Sequence, residues 1–501
     1  MRYILGIDVG TSGTKTVLFN EMGETISSVT IGYKIIQPQV GWAEQNPEDW
    51  WQATKSGIIN VINKSKVNSK DIKSIGLTGQ MHGLVLLSSK GETLRNAIIW
   101  CDQRTDNECK ELTNQFGLKK LIHITGNPAM TGFTLSKLMW IKRNEPDVYR
   151  KIGKLLLPKD YIRYKLTGVF ATEVSDASGT QMLDINSRKW SNELLDELDI
   201  SKDILPPVYE STYVTGTLKS NVAKELGLNI DTSVVGGAGD QAAAAIGNGI
   251  YKEGIISTSI GTSGVVFAAT NKPVLDKLGR VHTLCHAVPG MWNVMGVTQS
   301  AGLSLKWFKE NFCNDVVDKA AKTNKNVYDL LSDMASHSKP GANGIIYLPY
   351  LMGERSPHLN PKAKGIFFGF TYANTKDDFI RSVLEGVSFS LKNCLDIMLN
   401  MNIKLEEIRV CGGGAESIIW KQILSDIFEY PLFTLRTTEG PALGAAILAG
   451  VGAEIYKSIE DACDSILHCQ DKITPNPLNY SVYSKAYVKY NHMYPAIKDF
   501  F

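Results

Sequence analysis

A strand–turn–strand unit built on the same four residues occurs twice in this chain, about half a chain apart. No other feature constrains the fold as much. The first copy is the apolar run Tyr3 to Asp8, the turn Gly10-Thr11-Ser12-Gly13, and Thr14 to Phe19, which alternates as a second strand. The second copy runs Ile255 to Ile260, Gly261-Thr262-Ser263-Gly264 and Val265 to Ala268. A common tetrapeptide can recur by chance, but recurrence of the whole unit predicts two domains of similar build. Met22-Gly23 and the run Thr25 to Ile31 add a third strand, so the chain opens as an antiparallel meander.

Length agrees, since 501 residues exceed one ordinary core and predict two or three domains. Helical patterns lie between the strand runs. Asn46 to Ile62 carries Pro47 at a first-turn position, and Thr375 with Asp378 opens a long helix. Phe379, Ile380, Val383, Leu384, Val387 and Leu391 make one face of it. Strand runs near Ser74 to Leu77 and Glu407 to Cys411 complete a mixed α/β pattern. No Pro- or Ser-rich linker separates the halves. The small-residue stretch Ala242 to Gly249 is the expected boundary, giving domains 1–247 and 248–501 that abut and hinge. A packed helix is expected near Tyr480 to Tyr490.

Several classes are set aside. A net charge of +2, with no basic and aromatic cluster, argues against a nucleic-acid partner. Asp8 interrupts the N-terminal apolar run, and no window reaches the ~18 apolar residues of a membrane helix. Eight scattered cysteines without CxxC spacing suggest buried thiols and a cytoplasmic setting. Cys285 beside His286 reads as a core thiol next to an ordinary histidine rather than as a zinc site.

The chemistry-bearing candidates cluster at glycines. Asp8 ends a buried strand just before the first turn, where an unpaired carboxylate is costly unless a cation is near. Backbone N–H groups of such a turn converge on an anion, and Thr11, Ser12, Thr14 and Lys15 add donors and a charge. The segment therefore reads as a phosphate cradle with Asp8 near Mg2+, or more plainly as a tight hairpin with a capping Asp. Gly236-Gly237-Ala238-Gly239-Asp240-Gln241 offers close backbone approach ahead of a helix. Asp240 is there a general base toward a hydroxyl or a simple helix cap. Gly412-Gly413-Gly414-Ala415, with Ser417 beyond, and Gly440 to Ala446 leave a flat slot for a base. Neither a P-loop nor a dinucleotide fingerprint is present. Gly79-Gln80-Met81-His82-Gly83 and Trp100 to Thr105 combine amides, an exposed imidazole and an aromatic face, as a sugar site needs.

In this order the segments resemble the FGGY carbohydrate kinases. The likeness runs from Gly6 to about Gly450. GIDVGTSGTK resembles that family's first phosphate segment, GAGDQ its catalytic aspartate segment, GTSG at 261–264 its second phosphate segment and CGGGAESIIWKQ its adenosine segment. Gly365 to Thr371 matches its C-terminal signature region. Five further stretches are closest to members that phosphorylate D-xylulose: GWAEQNPEDWW, GQMHG, TGNPAMTGFT, LLPKDYIRYKLTG and SDASGT.

The resemblance implies the two-domain α/β fold of actin, hexokinase and Hsp70, with a central inter-domain cleft. It implies ATP and Mg2+, with Asp240 as proton acceptor and Asp8 assisting through the metal and phosphates. D-Xylulose is expected against Met81, His82, Trp100, Asp102 and Gln241. The nucleotide is expected near Gly261, Thr262, Gly412, Gly413, Gly414, Ala415 and Ser417. Many members carry Asn where this chain has Cys101, which bears on the ketopentose preferred. A kinase for L-xylulose, ribulose or glycerol stays open, as does an actin- or Hsp70-like conformational ATPase. A homodimer is also left open.

Overall fold

Each half of the chain is organised on its own sheet. The computed structural model describes residues 1–437 and 439–501. In the first half Tyr3–Val9 (β1), Gly13–Asn20 (β2) and Thr25–Gly32 (β3) form the antiparallel meander that the turn residues predict. Asn46 caps the helix Pro47–Ser65 (α1), its side chain accepting from the Glu48 N–H. Pro47 fits the first turn because the N–H it lacks has no helical partner there. The chain returns as Ile72–Gly79 (β4), parallel to β1. After the helix Pro158–Thr167 (α2), Ser233–Val235 (β5) adds a parallel strand beside β4, and Val214–Thr217 closes that edge.

The helix Asp240–Gly247 (α3) leads into the second half. There Gly254–Ile260 (β6), Gly264–Thr270 (β7) and Trp292–Thr298 (β8) repeat the meander. The helix Lys376–Asn400 (α4) precedes Leu405–Cys411 (β9), parallel to β6. Ile418–Phe428 (α5) then precedes Leu432–Leu435 (β10), parallel to β9. The orders β5-β4-β1-β2-β3 and β10-β9-β6-β7-β8 are the same arrangement used twice, each within a seven-stranded sheet. The repeated turn thus joins the first two strands of both meanders.

Helix α4 carries the expected capping box from Thr375 and Asp378. Its burial exceeds the single face the pattern predicts: besides Ile380, Val383, Leu384, Val387 and Leu391, the buried set includes Arg381 and Glu385. Those two are an ion pair at 2.8 Å, which is how charges enter that core. The helix Gly440–Gly452 (α6) comes from the second half yet lies on the first sheet. The C-terminal helix spans Tyr480–Ile497 (α7) and buries Tyr483, Tyr490 and Tyr494. Among the described residues no helix is long and apolar enough to cross a membrane.

Helix α6 approaches its neighbours backbone to backbone. A Cβ added at Gly6 would come within 2.1 Å of the Ala442 carbonyl oxygen, and one at Gly76 within 1.9 Å of that of Ala445. Helix α3 crosses α6 equally closely, with Gly247 against the Gly440 carbonyl and Gly444 against that of Ala243. Ala245 of α3 meanwhile joins Ile255, Val265 and Phe267 of the second half. The stretch expected to be the boundary is therefore a helix held between both halves. Gly444→Ala would put a methyl 1.8 Å from the Ala243 carbonyl oxygen. It is expected to lower unfolding free energy by about 1–3 kcal/mol, measured by denaturant titration.

Candidate active site

The site gathers where β1 and β4 end and α3 begins. Asp8 is the penultimate residue of β1, and Gly79 and Gly239 pair at the neighbouring strand tips. Helix α3 starts at Asp240, with Gly239 in the cap position, so Asp240 is the first helical residue rather than the cap. Burial pushes the Asp240 carboxyl up to about 7, and the negative charge of Asp8 adds to this. Asp8 itself is raised to about 6 by burial, with Lys15 opposing. Its Oδ1 is buried without a hydrogen-bond partner. Lys15 offsets only part of what burial does to Asp8, so both neighbouring carboxyls hold their protons more tightly than free ones.

The first turn is held from several sides. The Gly10 carbonyl accepts from the Tyr33 hydroxyl at 2.6 Å, and the Thr11 carbonyl from Gln45 Nε2 at 2.8 Å. Gln80 Nε2 donates to Gln45 Oε1 at 2.8 Å, tying the Gly79–Gly83 segment to the same turn. Trp100 Nε1 donates to Thr11 Oγ1 at 2.9 Å. Lys15, expected to face phosphate, is paired with Glu439 of the second half at 2.5 Å. Asp8 and Lys15 are opposed residues of β1 and β2, so this pair lies beside the acidic couple.

His82 adopts a left-handed backbone with φ of 67°, an uncommon state for a residue with a side chain and one that concentrates at functional sites. Its ring stacks on Phe133 at 4.2 Å, and Nδ1 lies 2.7 Å from the Gly179 carbonyl oxygen. The expected exposed imidazole is therefore largely enclosed, and burial holds it well below the usual histidine range. Met81 is buried against Gly179 and Gly239, where an added Cβ would meet its side chain. Trp100 keeps an exposed face. Asp102 stands apart from these: it is fully buried, accepts from the Ala43 N–H at 2.6 Å and binds Arg104 through both oxygens. It holds the loop shape and does not present an oxygen to the cleft. Cys101 packs against the core of the first sheet.

Five charged residues are buried behind Asp240; all but Glu173 lie in the stretches 156–168 and 175–180, which sequence reasoning noted without giving these residues a role. Lys159 Nζ contacts Asp160 at 2.8 Å, Asp176 at 3.1 Å and Glu173 at 3.2 Å, while Arg163 binds Asp160 at 2.7 Å. Ser175 Oγ donates to Glu173 and accepts from the Gly239 N–H at 3.1 Å, which fixes the backbone just before Asp240. Burial and its acidic neighbours push Asp176 up to about 8, so it keeps its proton and the cluster balances.

In the second half a cavity of about 500 Å³ is lined by Gly261, Thr262, Gly413, Gly414 and Ser417, all expected at the nucleotide. Gly302, Leu303, Asn326 and Tyr328, which sequence reasoning missed, complete its wall. The N–H of Gly302 donates to the Gly261 carbonyl at 2.7 Å, so the second turn is buttressed by the helix that follows β8. Ser417 caps α5 through the Trp420 N–H. Gly412 and Ala415 face an adjoining cavity of about 660 Å³, together with Gln241. Thr11, Ser12, Met81 and His82 line neither cavity and belong to the first-half side.

Profiles of the FGGY family of carbohydrate kinases match both halves, the N-terminal domain over residues 3–247 and the C-terminal domain over 256–453. A xylulose kinase of Bacillus subtilis is 39% identical over 499 residues, covering 100% of this chain and 98% of that one. The ligand-bound xylulose kinase from Lactobacillus acidophilus superposes with a TM-score of 0.93 at 28% identity, covering 99% of both chains. A gluconate kinase from the same organism gives 0.92 at 29% identity, covering 99% of this chain and 98% of that one. The two-domain kinase fold is therefore shared across sugars, and full-length identity points to xylulose.

The raised Asp240 carboxyl makes ligand-free stability fall with pH. A folded-state value above the unfolded one means stability is fully present below about 4 and is lost as pH rises through about 7. Asp240→Asn removes that loss. At pH 8 the variant is expected to be more stable than the parent by about 1–2 kcal/mol, after discounting for partial exposure, with the advantage vanishing near pH 4 in thermal or denaturant melts.

Proposed function

This chain belongs to the FGGY family of carbohydrate kinases, and we propose that it transfers the terminal phosphoryl group of ATP to D-xylulose, giving D-xylulose 5-phosphate. Full-length identity to xylulose kinases carries the choice of sugar, and the raised carboxyl of Asp240 at the start of α3 supports the chemistry. In this reading the division is 1–247 for sugar, first phosphate turn and general base, and 248–501 for nucleotide. The setting is cytoplasmic.

ATP occupies the 500 Å³ cavity, with its base against Gly413, Gly414 and Ser417 and its phosphates toward Gly261 and Thr262. The sugar lies on the first half beside Met81 and His82, with Trp100 as an apolar face and Gln241 at the base of the cleft. Asp102 contributes by shaping the loop that carries Trp100. Closure brings Thr11 and Ser12 to the phosphates, and Lys15 exchanges Glu439 for them. Asp240 then takes the proton of the attacking hydroxyl. A value near 7 suits it, since a base must be free of its proton at working pH and still hold one when the hydroxyl gives it up.

The residues fit a magnesium ion. Asp8 Oδ1 is a buried oxygen without a partner, and no cluster of three or more His, Cys, Asp or Glu could hold a metal alone among the described residues. Magnesium bound through one or two carboxylates and phosphates requires no more than that. Asp8 would hold it, through water, and bound there it neutralises charge on the phosphates.

The test is a coupled ADP-release assay with D-xylulose, L-xylulose, D-ribulose, L-ribulose and glycerol. Highest kcat/KM for D-xylulose is expected, and activity confined to another member of the set would overturn the sugar. Asp240→Asn should cut kcat by about 10²-fold or more, since the base acts in the transition state. His82→Ala should chiefly raise the sugar KM; an unchanged KM removes His82 from the sugar site.

A further inference from the structure

The proposed reading leaves one enclosed charge without a task. Arg355 lies on the second half, five residues after Tyr350, whose hydroxyl meets that of Tyr490 on α7, and it is only partly exposed. Among the described residues its guanidinium makes no side-chain hydrogen bond and no ion pair, although Arg characteristically engages a carboxylate or phosphate where it is enclosed. Its one acidic neighbour in sequence, Glu354, is committed elsewhere. That carboxylate accepts from Thr298 Oγ1 at 2.6 Å, the Gln299 N–H at 3.0 Å, the Arg355 N–H at 2.8 Å and Ser390 Oγ at 3.2 Å.

These bonds locate the arginine. Thr298 ends β8 and pairs with Gly264, the last residue of the second phosphate turn. The Ser356 N–H donates to the Val297 carbonyl at 2.9 Å, so residues 354–356 run beside that strand end. On its other side the Ser356 hydroxyl donates to the Arg280 carbonyl at 2.6 Å, and His282, two residues on, pairs with Met295 of β8 and lies beside Phe133, on which His82 stacks. The Arg355 charge reaches that group, helping hold both His82 and His282 below the usual histidine range. Arg355 therefore lies between the second phosphate turn and the sugar side. An anion crossing from one to the other passes it.

We propose that Arg355 contacts the phosphoryl group in transfer and remains on the phosphate of the product, supplying from the second half a cation opposite the one that Lys15 brings from the first. A neutral sugar gives a guanidinium no charge to meet, whereas the flat fork matches two phosphate oxygens. The inference rests on the kinase reading above, and it names a residue no motif in the sequence marks.

The test compares wild type, Arg355→Gln, Arg355→Lys and Arg355→Ala in D-xylulose kinetics, with direct binding of D-xylulose and of D-xylulose 5-phosphate by calorimetry. Arg355→Gln is expected to lower kcat by about 10²–10³-fold, leave D-xylulose affinity within about threefold, and weaken the sugar phosphate by about tenfold or more. Arg355→Lys, which keeps the charge but not the fork, should recover part of kcat. Added guanidinium ion should raise the rate of Arg355→Ala. A kcat within about threefold of wild type in Arg355→Gln overturns the proposal, as does loss confined to the D-xylulose KM. If Arg355→Gln melts early or fails to fold, Arg355→Lys decides: full activity in it together with unchanged sugar-phosphate affinity overturns the proposal. Wild type inactive on D-xylulose sinks the sugar assignment instead. The arginine is then read from sugar-independent ATP hydrolysis, which Arg355→Gln should slow by about tenfold, and an equal rate overturns it.

Discussion

Everything in this structure hangs on the crossing of α3 and α6. Each of these helices presents glycine and alanine to the other, and α6 rests on β1 and β4 at Gly6 and Gly76 with no side chain between. Backbones that close leave no room for a loop or a linker, so the two halves share one core of Ile4, Phe19, Ala243, Ile246, Ala446 and Ile447. The same crossing places the start of α3, and so Asp240, at the tips of the first sheet. Geometry that joins the halves also sets the acid where a ligand between them can reach it.

The site is electrostatically incomplete by construction. Asp8 and Asp240 are both raised by burial, His82 and His282 are held neutral by it, and Lys15 is occupied by Glu439. The cluster behind Asp240 shows the contrast. There two cations, two carboxylates and one protonated acid balance, and its bonds reach the segment before Asp240 through Ser175 to the Gly239 N–H and through Arg163 to the Gly236 carbonyl. Charge is matched in one network and unmatched in the other.

The repeat, the meanders and the positions of Asp8 and Asp240 were legible because local signals carry them: apolar runs end at glycines, and caps such as Asn46 and Thr375 announce helices. What escaped depends on partners far along the chain. Lys15 meets Glu439 only after the whole second half has folded, and the wall at Gly302 and Asn326 comes from segments with no phosphate-like composition. Asp102 read as a cleft residue because its type and neighbours suit one. Arg104, two residues on, folds back and takes its oxygens, a side-chain choice that spacing does not reveal. His82 stood out between its glycines, yet its stacking on Phe133 did not, since that contact joins two separate segments.

The seam between α3 and α6 has a consequence for how the protein answers to salt. Its glycine and alanine surfaces hold no charge for dissolved ions to screen. The Lys15–Glu439 pair, which also ties the halves together, is partly exposed and open to that screening. Ionic strength therefore loosens the tie at the phosphate turn and leaves the packed joint as it was.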